Sequence, residues 1–457
     1  MIFSSVEFLL YFLPVFFVLY GLTPKAYRNL TLLLGSLVFY AFGEQKYLLF
    51  LMGSVLVNYL AGHYLGKRVK GRISKKQKFK VQRKKTYVLT AAVIGNVGAL
   101  VLFKSGWGLP LGVSFYTFQI LSYLIDVYRG TVRQEPSFQR FADYIIMFPQ
   151  LIEGPIVRYG EVEGKLRKRD FSPEDIQDGL KVFTLGLAAK VLLADRLGIL
   201  WHEVHVTGYE NISTPLAWLG AFAYSMKLYF DFYGYSLMAT GLGRMLGFEL
   251  PENFHMPYMA CSVREFYRRW HVTLGRWFRD YVYIPLGGNR KGRWRTVVNL
   301  LIVWALTALW HGFSPNFWIW GGLLWLFIIG EKLLGDAECL HWVKRLKVLP
   351  HIYLWLVIPV TWVCFAVTDG KELWVYLGRM FGWYRGINVR AGDYIPALER
   401  YGGLFLLAFA ACTPLVEKLY KRIKKKWWGM LLLAGIFWLC VGRVMRDGGN
   451  PFMYFDF

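Results

Sequence analysis

Apolar residues gather into runs of membrane length along almost the whole chain. They fall near 2–21, 29–43, 47–66, 86–103, 110–128, 176–194, 215–238, 296–313, 316–335, 350–368, 401–417 and 427–443. About twenty apolar residues in a helix cross a hydrocarbon layer roughly 30 Å thick. The run 29–43 is short, so the pattern predicts eleven or twelve transmembrane helices. The first run lacks a basic start and a small-residue cleavage site, and its first charge is Glu7, so it reads as a span, not as a signal peptide. Two stretches between the runs are not ordinary loops. Residues 141–158, FADYIIMFPQLIEGPIVR, are apolar, too short to cross, and broken by Pro149 and Pro155. Such a stretch predicts a re-entrant segment buried in protein, because irregular backbone cannot face lipid. Residues 262–286, SVREFYRRWHVTLGRWFRDYVYIPL, interleave Arg and aromatic residues at helical spacing. This predicts an amphipathic helix in the membrane interface, with Arg side chains snorkelling to headgroups.

Composition narrows the class. Only 18% of the 457 residues are charged, against roughly 25% in soluble proteins, and 55% are hydrophobic. That excludes a string of soluble domains and a disordered chain. A nucleic-acid binder would share the net charge of +24 but not 19 Trp and 35 Phe in long apolar runs. The five cysteines form no CxxC pair and no disulfide framework. No internal repeat and no soluble enzyme domain stands out, so residues 1–457 read as a single integral-membrane domain.

The basic residues orient the chain. Residues 67–85 hold eleven Lys/Arg and no acid, which makes them a basic cytoplasmic loop. Alternating outward from it puts the N-terminus outside and assigns 40 of the 54 Lys/Arg to inner loops, 9 to outer loops and 5 to spans. Such runs hold loops on the cytoplasmic side and touch anionic lipid; a specific anionic ligand is the sharper reading.

Candidate chemistry is sparse. There is no Walker loop, no GxSxG, and WHEVH at 201–205 has the wrong spacing for a zinc site. The in-span charges Asp126, Lys181, Lys190, Lys227, Asp231, Glu331 and Lys332 fit either a transport path or internal ion pairs. Glu153 and Arg158 flank Pro155, which fits a pair holding the re-entrant segment. PLGGNRKGR, at 285–293, is either a solvated turn or a phosphate contact. His311 ends an apolar run in TALWHGF, roughly 10 Å beyond the middle of its span at 1.5 Å per residue. There it is either a headgroup-level histidine or a general base for a hydroxyl. His271 lies in RRWHVTLGRW, where a structural role is the plainer reading. The topology puts the two histidines at opposite depths, which argues against a shared metal.

Several motifs together resemble the membrane-bound O-acyltransferase family. They are LGVSFYTFQ (111–119), FPQLIEGPIVRY (148–159), LPENFHMPY (250–258), FYRRWHVTLGRWFRDYVYIPLGGNRKG (266–292), ALWHG (308–312) and NPFMYFDF (450–457). The likeness covers essentially the whole chain and is greatest to the bacterial alginate O-acetyltransferase-like branch. It extends to peptidoglycan O-acetyltransferases and, more distantly, to teichoic-acid D-alanyl transfer. Residues 230–239 read FDFYGYSLMA where that family commonly has FDFSGYSDMA, so Tyr233 and Leu237 replace Ser and Asp. His255 and Gly275 stand where Asn and Ser are usual, which points to a subgroup.

The resemblance implies an all-α polytopic fold, with re-entrant and interfacial helices around a central tunnel. It implies His311 as the catalytic histidine and His271 as the second characteristic one. The implied donor is an acyl thioester, acetyl-CoA in this branch. The implied acceptor is a hydroxyl of an extracytoplasmic polysaccharide, often reached through an SGNH-type partner. Arg268, Arg269, Arg276, Arg290 and Lys291 are then candidates to attract the anionic donor. No resident cofactor, metal or nucleic acid is expected, and the setting is the bacterial cytoplasmic membrane. A transporter of a saccharide or acyl carrier is the rival reading, and a non-catalytic scaffold of a polysaccharide-export complex is a third.

Overall fold

The computed structural model describes residues 1–67, 74–170, 172–335 and 348–448. The 450–457 motif and part of the 67–85 basic run lie outside the described residues. The described chain is helical, with no strand among the described residues. It divides into two compact units, Met1–Phe183 with Ser236–Pro251, and Thr184–Tyr235 with Glu252–Phe457.

In chain order the helices begin with α1 (Leu13–Leu22), α2 (Arg28–Glu44), α3 (Leu48–Gly66), α4 (Lys75–Leu102) and α5 (Val113–Arg129). Then come α6 (Phe138–Ile146), α7 (Phe148–Leu151), α8 (Tyr159–Arg167), α9 (Pro173–Ala188), α10 (Asp195–Thr207) and α11 (Thr214–Met245). After them follow α12 (Val263–Arg269), α13 (Val272–Phe278), α14 (Arg293–His311), α15 (Pro315–Gly335) and α16 (Leu349–Ala366). The last are α17 (Gly370–Phe381), α18 (Tyr394–Ala411), α19 (Pro414–Ile423) and α20 (Trp427–Asp447).

Every apolar run in the sequence folds as helix. Among the described residues, Lys25–Gly66, Lys75–Trp107, Pro315–Leu334, Leu349–Ala366 and Trp427–Asp447 are each long and apolar enough to cross a membrane. The pair α18 and α19, bent by 76°, passes the same test only when taken together, as a broken span or a re-entrant loop. The other runs are shorter or more polar. None of the apolar stretch of α4 is buried, whereas α5 is buried on every face from Val113 to Leu124. Large apolar side chains such as Leu22, Leu49 and Trp427 stand exposed on the spans, as lipid-facing surface requires.

The basic run 67–85 is not a loop from Lys75 onward. There it forms the first turns of α4, because Ser74 and Gln77 make a reciprocal capping box and Lys, Gln and Arg are good helix formers.

In the first unit, residues 141–158 form α6, the four-residue α7 and then irregular chain. Every residue from 141 to 157 is buried in protein. Ser36 of α2 accepts a hydrogen bond from the Phe148 amide at 3.1 Å. Gly112 opens α5 at φ 73°, and a Cβ there would lie 2.2 Å from the Leu151 carbonyl oxygen, so only glycine fits.

A buried carboxylate ties this region together. Glu135 is fully buried and accepts hydrogen bonds from Arg140 at 2.6 Å, Tyr159 at 2.5 Å and the Ser137 amide at 2.8 Å. Burial by itself would push the Glu135 carboxyl up, but its hydrogen bonds to Arg140, Tyr159 and Ser137 together hold it below the usual range. Glu135→Ala leaves the half-buried Arg140 cation unanswered, and losing one partner of a buried pair costs about 3–5 kcal/mol. The expected outcome is a large fall in the thermal midpoint of the purified protein. Because the folded carboxyl titrates below the unfolded one, this stabilisation is present above about pH 4 and lost as pH falls further.

In the second unit, two of the in-span charges, Lys190 and Asp231, join Asp195 in an ion pair network. Lys190, 2% exposed, lies 2.6 Å from Asp195 and 3.0 Å from Asp231. It sits within a π-helical turn, Ala189–Ala194. Gly234 lets two helices approach closely, since a Cβ there would lie 2.6 Å from the Gly186 carbonyl oxygen.

Candidate functional site

The segment expected as one interfacial amphipathic helix, 262–286, is broken and buried. It comprises α12, α13 and a π turn Arg279–Tyr283, interrupted at Trp270 and His271. Val263, Phe266, Trp270, Leu274, Trp277 and Phe278 are all buried, so its aromatic face packs on protein and not on headgroups. The break is at His271, whose φ of 46° is left-handed. For a non-glycine residue this is uncommon and is held only where surrounding contacts impose it.

Those contacts can be named. Ser262 caps the start of α12 through the Glu265 amide at 3.1 Å. Glu331 of α15 accepts from the Val263 amide at 2.5 Å and the Arg264 amide at 3.0 Å, so it satisfies two of the first-turn N–H groups. The irregular chain at 253–255 then pairs with the break. The His255 amide donates to the Arg269 carbonyl, and the Val272 amide donates to the Asn253 carbonyl, both at 2.9 Å.

The Asn253 side chain sets the tautomer of His271. Its Oδ1 accepts from the Thr273 amide at 3.3 Å and from the Thr273 hydroxyl at 2.9 Å, and it lies 3.1 Å from His271 Nδ1. A backbone amide can only donate, so the oxygen of Asn253 must face this point. His271 Nδ1 therefore carries the proton, and Nε2 keeps the basic lone pair. His271 is 4% exposed, and it lies outside the helices long and apolar enough to cross a membrane. Burial pushes its imidazole down to about 3, which keeps it neutral.

His311 is the last residue of α14 and is 6% exposed. Trp310, Phe317, Trp320 and Phe365 surround its ring, with centroids 4.6 to 5.9 Å away. A side chain at Gly312 would strike Phe317 at 2.7 Å, so the glycine of ALWHG lets this cage close.

One cavity of about 260 Å³ is lined by both histidines. Tyr267, Trp304, Trp320, Trp362 and Thr307 complete much of its wall. Trp310 lies beside both, 6.3 Å from the His271 ring and 4.6 Å from the His311 ring. The sequence expectation that the two histidines sit at opposite depths therefore fails, because the α12–α13 segment turns into the protein. Among the described residues, no group of His, Cys, Asp and Glu is arranged to hold a metal. What the cavity offers is two imidazoles in an apolar, aromatic enclosure, suited to moving a proton on a small substrate group away from bulk water.

The five basic candidates lie elsewhere. Arg268, Arg290 and Lys291 are exposed, Arg269 pairs with Glu265 at 2.5 Å, and Arg276 is half-buried. None of them lines the cavity; the basic residue that does is Arg279, which also pairs with Asp280 at 2.6 Å. Sequence reasoning missed Arg279 and Asn253. The only signal for Asn253 was its place in LPENFHMPY. The turn PLGGNRKG is closed by Asn299 of α14, which donates to the Gly288 carbonyl at 2.9 Å.

Comparison with known proteins gives the family. A model of the membrane-bound O-acyltransferase family matches residues 128–368, which include both histidines. The chain is 37% identical over 399 residues to a probable alginate O-acetylase of Pseudomonas aeruginosa, covering 83% of this chain and 75% of that protein. It is 32% identical over 443 residues to a peptidoglycan O-acetyltransferase of Helicobacter pylori, covering 84% and 80%. A teichoic acid D-alanyltransferase of Bacillus subtilis is 28% identical over 283 residues, covering 57% of this chain and 69% of that protein. The chain thus belongs to the membrane-bound O-acyltransferase family, as an all-α, multi-pass membrane protein and an O-acyltransferase.

Proposed function

We propose that this enzyme transfers an acetyl group from a cytoplasmic thioester, acetyl-CoA, across the membrane to a hydroxyl of an extracytoplasmic polysaccharide. A partner of the SGNH type, carrying a serine nucleophile, is the alternative immediate acceptor. The whole chain acts as one catalytic domain in the bacterial cytoplasmic membrane, with its N-terminus outside. The observation that carries this reading is that His271 and His311 line the same cavity.

In this reading His311 takes the proton of the acceptor hydroxyl as its oxygen attacks the thioester carbonyl. A C–O bond forms, the C–S bond breaks, and the thiolate leaves with a proton, so CoA is released as its thiol. His271, neutral and with a basic Nε2, positions the donor or passes the proton. The aromatic walls exclude water, which would otherwise hydrolyse the thioester. Arg268, Arg269, Arg276, Arg290 and Lys291 lie on the same segment and the turn after it, where they raise the local concentration of an anionic donor.

Labelled acetyl-CoA supplied to proteoliposomes tests the reading through acetyl transfer to an acceptor glycan. Asn253 gives a finer test. Asn253→Ala removes the acceptor that fixes the His271 tautomer, and outer-shell changes of this kind cost about 10–100-fold. A fall in kcat with little change in KM for the donor is expected, with Asn253→Asp, which keeps an acceptor oxygen, falling less.

A further inference from the structure

We propose that the first unit binds the phosphate headgroup of an anionic phospholipid in a basic cavity formed by residues 25–29 and 166–170. The cavity measures about 320 Å³, and Lys25, Arg28, Arg167, Lys168 and Arg169 line it against one acid, Asp170. Some of these cations are paired within the protein. Lys25 lies 2.6 Å from Asp170, and Arg167 lies 2.7 Å from Glu163.

Arg169 is the anchor. It is only 8% exposed. Its guanidinium lies 4.6 Å from the Phe248 ring centroid, and Nε donates to the Tyr20 hydroxyl at 3.0 Å. Its Nη1 donates to the Asn29 side-chain oxygen and, at 3.5 Å, to the Lys165 carbonyl. These partners are neutral, and Nη2 has no acceptor among the described residues. The buried Asp143 carboxyl acts on Arg169 electrostatically, but among the described residues it makes no hydrogen bond to the guanidinium. A buried donor left without an acceptor is costly, and an oxyanion is a group that would answer it. Guanidinium is the side chain whose fork best matches phosphate oxygens.

The surroundings select a lipid over a soluble phosphate. The cavity lies at the beginning of Lys25–Gly66, a segment of membrane-crossing length and hydropathy. Val18, Leu22 and Tyr27, beside it in the chain, are 60%, 77% and 62% exposed. A headgroup held among the cations would have this apolar surface at hand for its acyl chains. Basic pockets at the ends of membrane helices are suited to such headgroups. The site is independent of the acetyl-transfer reading.

Thermal unfolding of the full-length protein in detergent tests it, with phosphatidylglycerol, phosphatidylcholine or glycerol 3-phosphate added at matched concentration. Phosphatidylglycerol is expected to raise the midpoint, and the other two are not. The increment should be lost in Arg169→Gln and reduced in the exposed Lys168→Gln, and it should persist in Lys80→Gln, a control in the separate basic run of α4. If Arg169→Gln does not fold, Lys168→Gln carries the test. An unchanged increment in Lys168→Gln would overturn the site. Equal stabilisation by glycerol 3-phosphate would overturn the lipid assignment and give the cavity to a soluble phosphate compound.

Discussion

His311→Ala is expected to lose acetyl transfer by about 10²–10⁴-fold, the range that a positioned general base supplies. The protein should still fold. His311 ends α14, where its replacement removes a ring from an aromatic cage without interrupting the helix. Transfer from labelled acetyl-CoA in proteoliposomes, with the thermal midpoint measured alongside, separates lost chemistry from lost structure. A variant that folds normally and transfers at the full rate would remove His311 from the mechanism. His311→Gln sharpens the comparison, since it keeps a polar side chain but cannot take up a proton near neutral pH.

His271 is expected to give the second-largest loss, about 100-fold, and the variant must respect its backbone. At φ 46° an alanine is strained, whereas asparagine tolerates the left-handed region. His271→Asn is therefore the informative change, and full transfer by that variant would make the role of His271 structural. The pH dependence adds a second readout. Burial pushes the folded imidazole down to about 3, while the unfolded one titrates near 6.5. Stability from keeping this ring neutral is thus complete above about pH 6.5 and is lost as pH falls toward 3. Thermal midpoints measured across pH 4–7 should fall less steeply in His271→Asn than in the unchanged protein.

Much of the architecture was legible along the chain. All of the apolar runs are helices, because a backbone in hydrocarbon must satisfy its own hydrogen bonds. The break pattern of 141–158 also translated directly, since Pro149 and Pro155 prevent a continuous helix. The segment 262–286 did not translate. Its Arg and aromatic periodicity is what an interfacial helix would show, but the left-handed break at His271 is held by Asn253, eighteen residues away, and the start of α12 is held by Glu331, sixty-eight residues from Val263. Periodicity reports which residues share a face; it does not report what that face meets. The same limit applies to the basic candidates. Arg268 and Arg279 look alike in a string, and only packing puts Arg279 on the cavity wall.

By itself, the sequence determined that this protein lives in a membrane and is built of helices, and its motifs singled out the two histidines. Those properties follow from hydrophobic run length and from local residue patterns, which are carried by neighbours in the chain. Only the tertiary structure decided that His271 and His311 share one cavity, that Asn253 fixes which nitrogen of His271 is basic, and that Arg169 is buried with an Nη2 that has no acceptor among the described residues. Each of these depends on where distant segments meet, and on a hydrogen bond or a desolvated charge whose cost exists only once they have met.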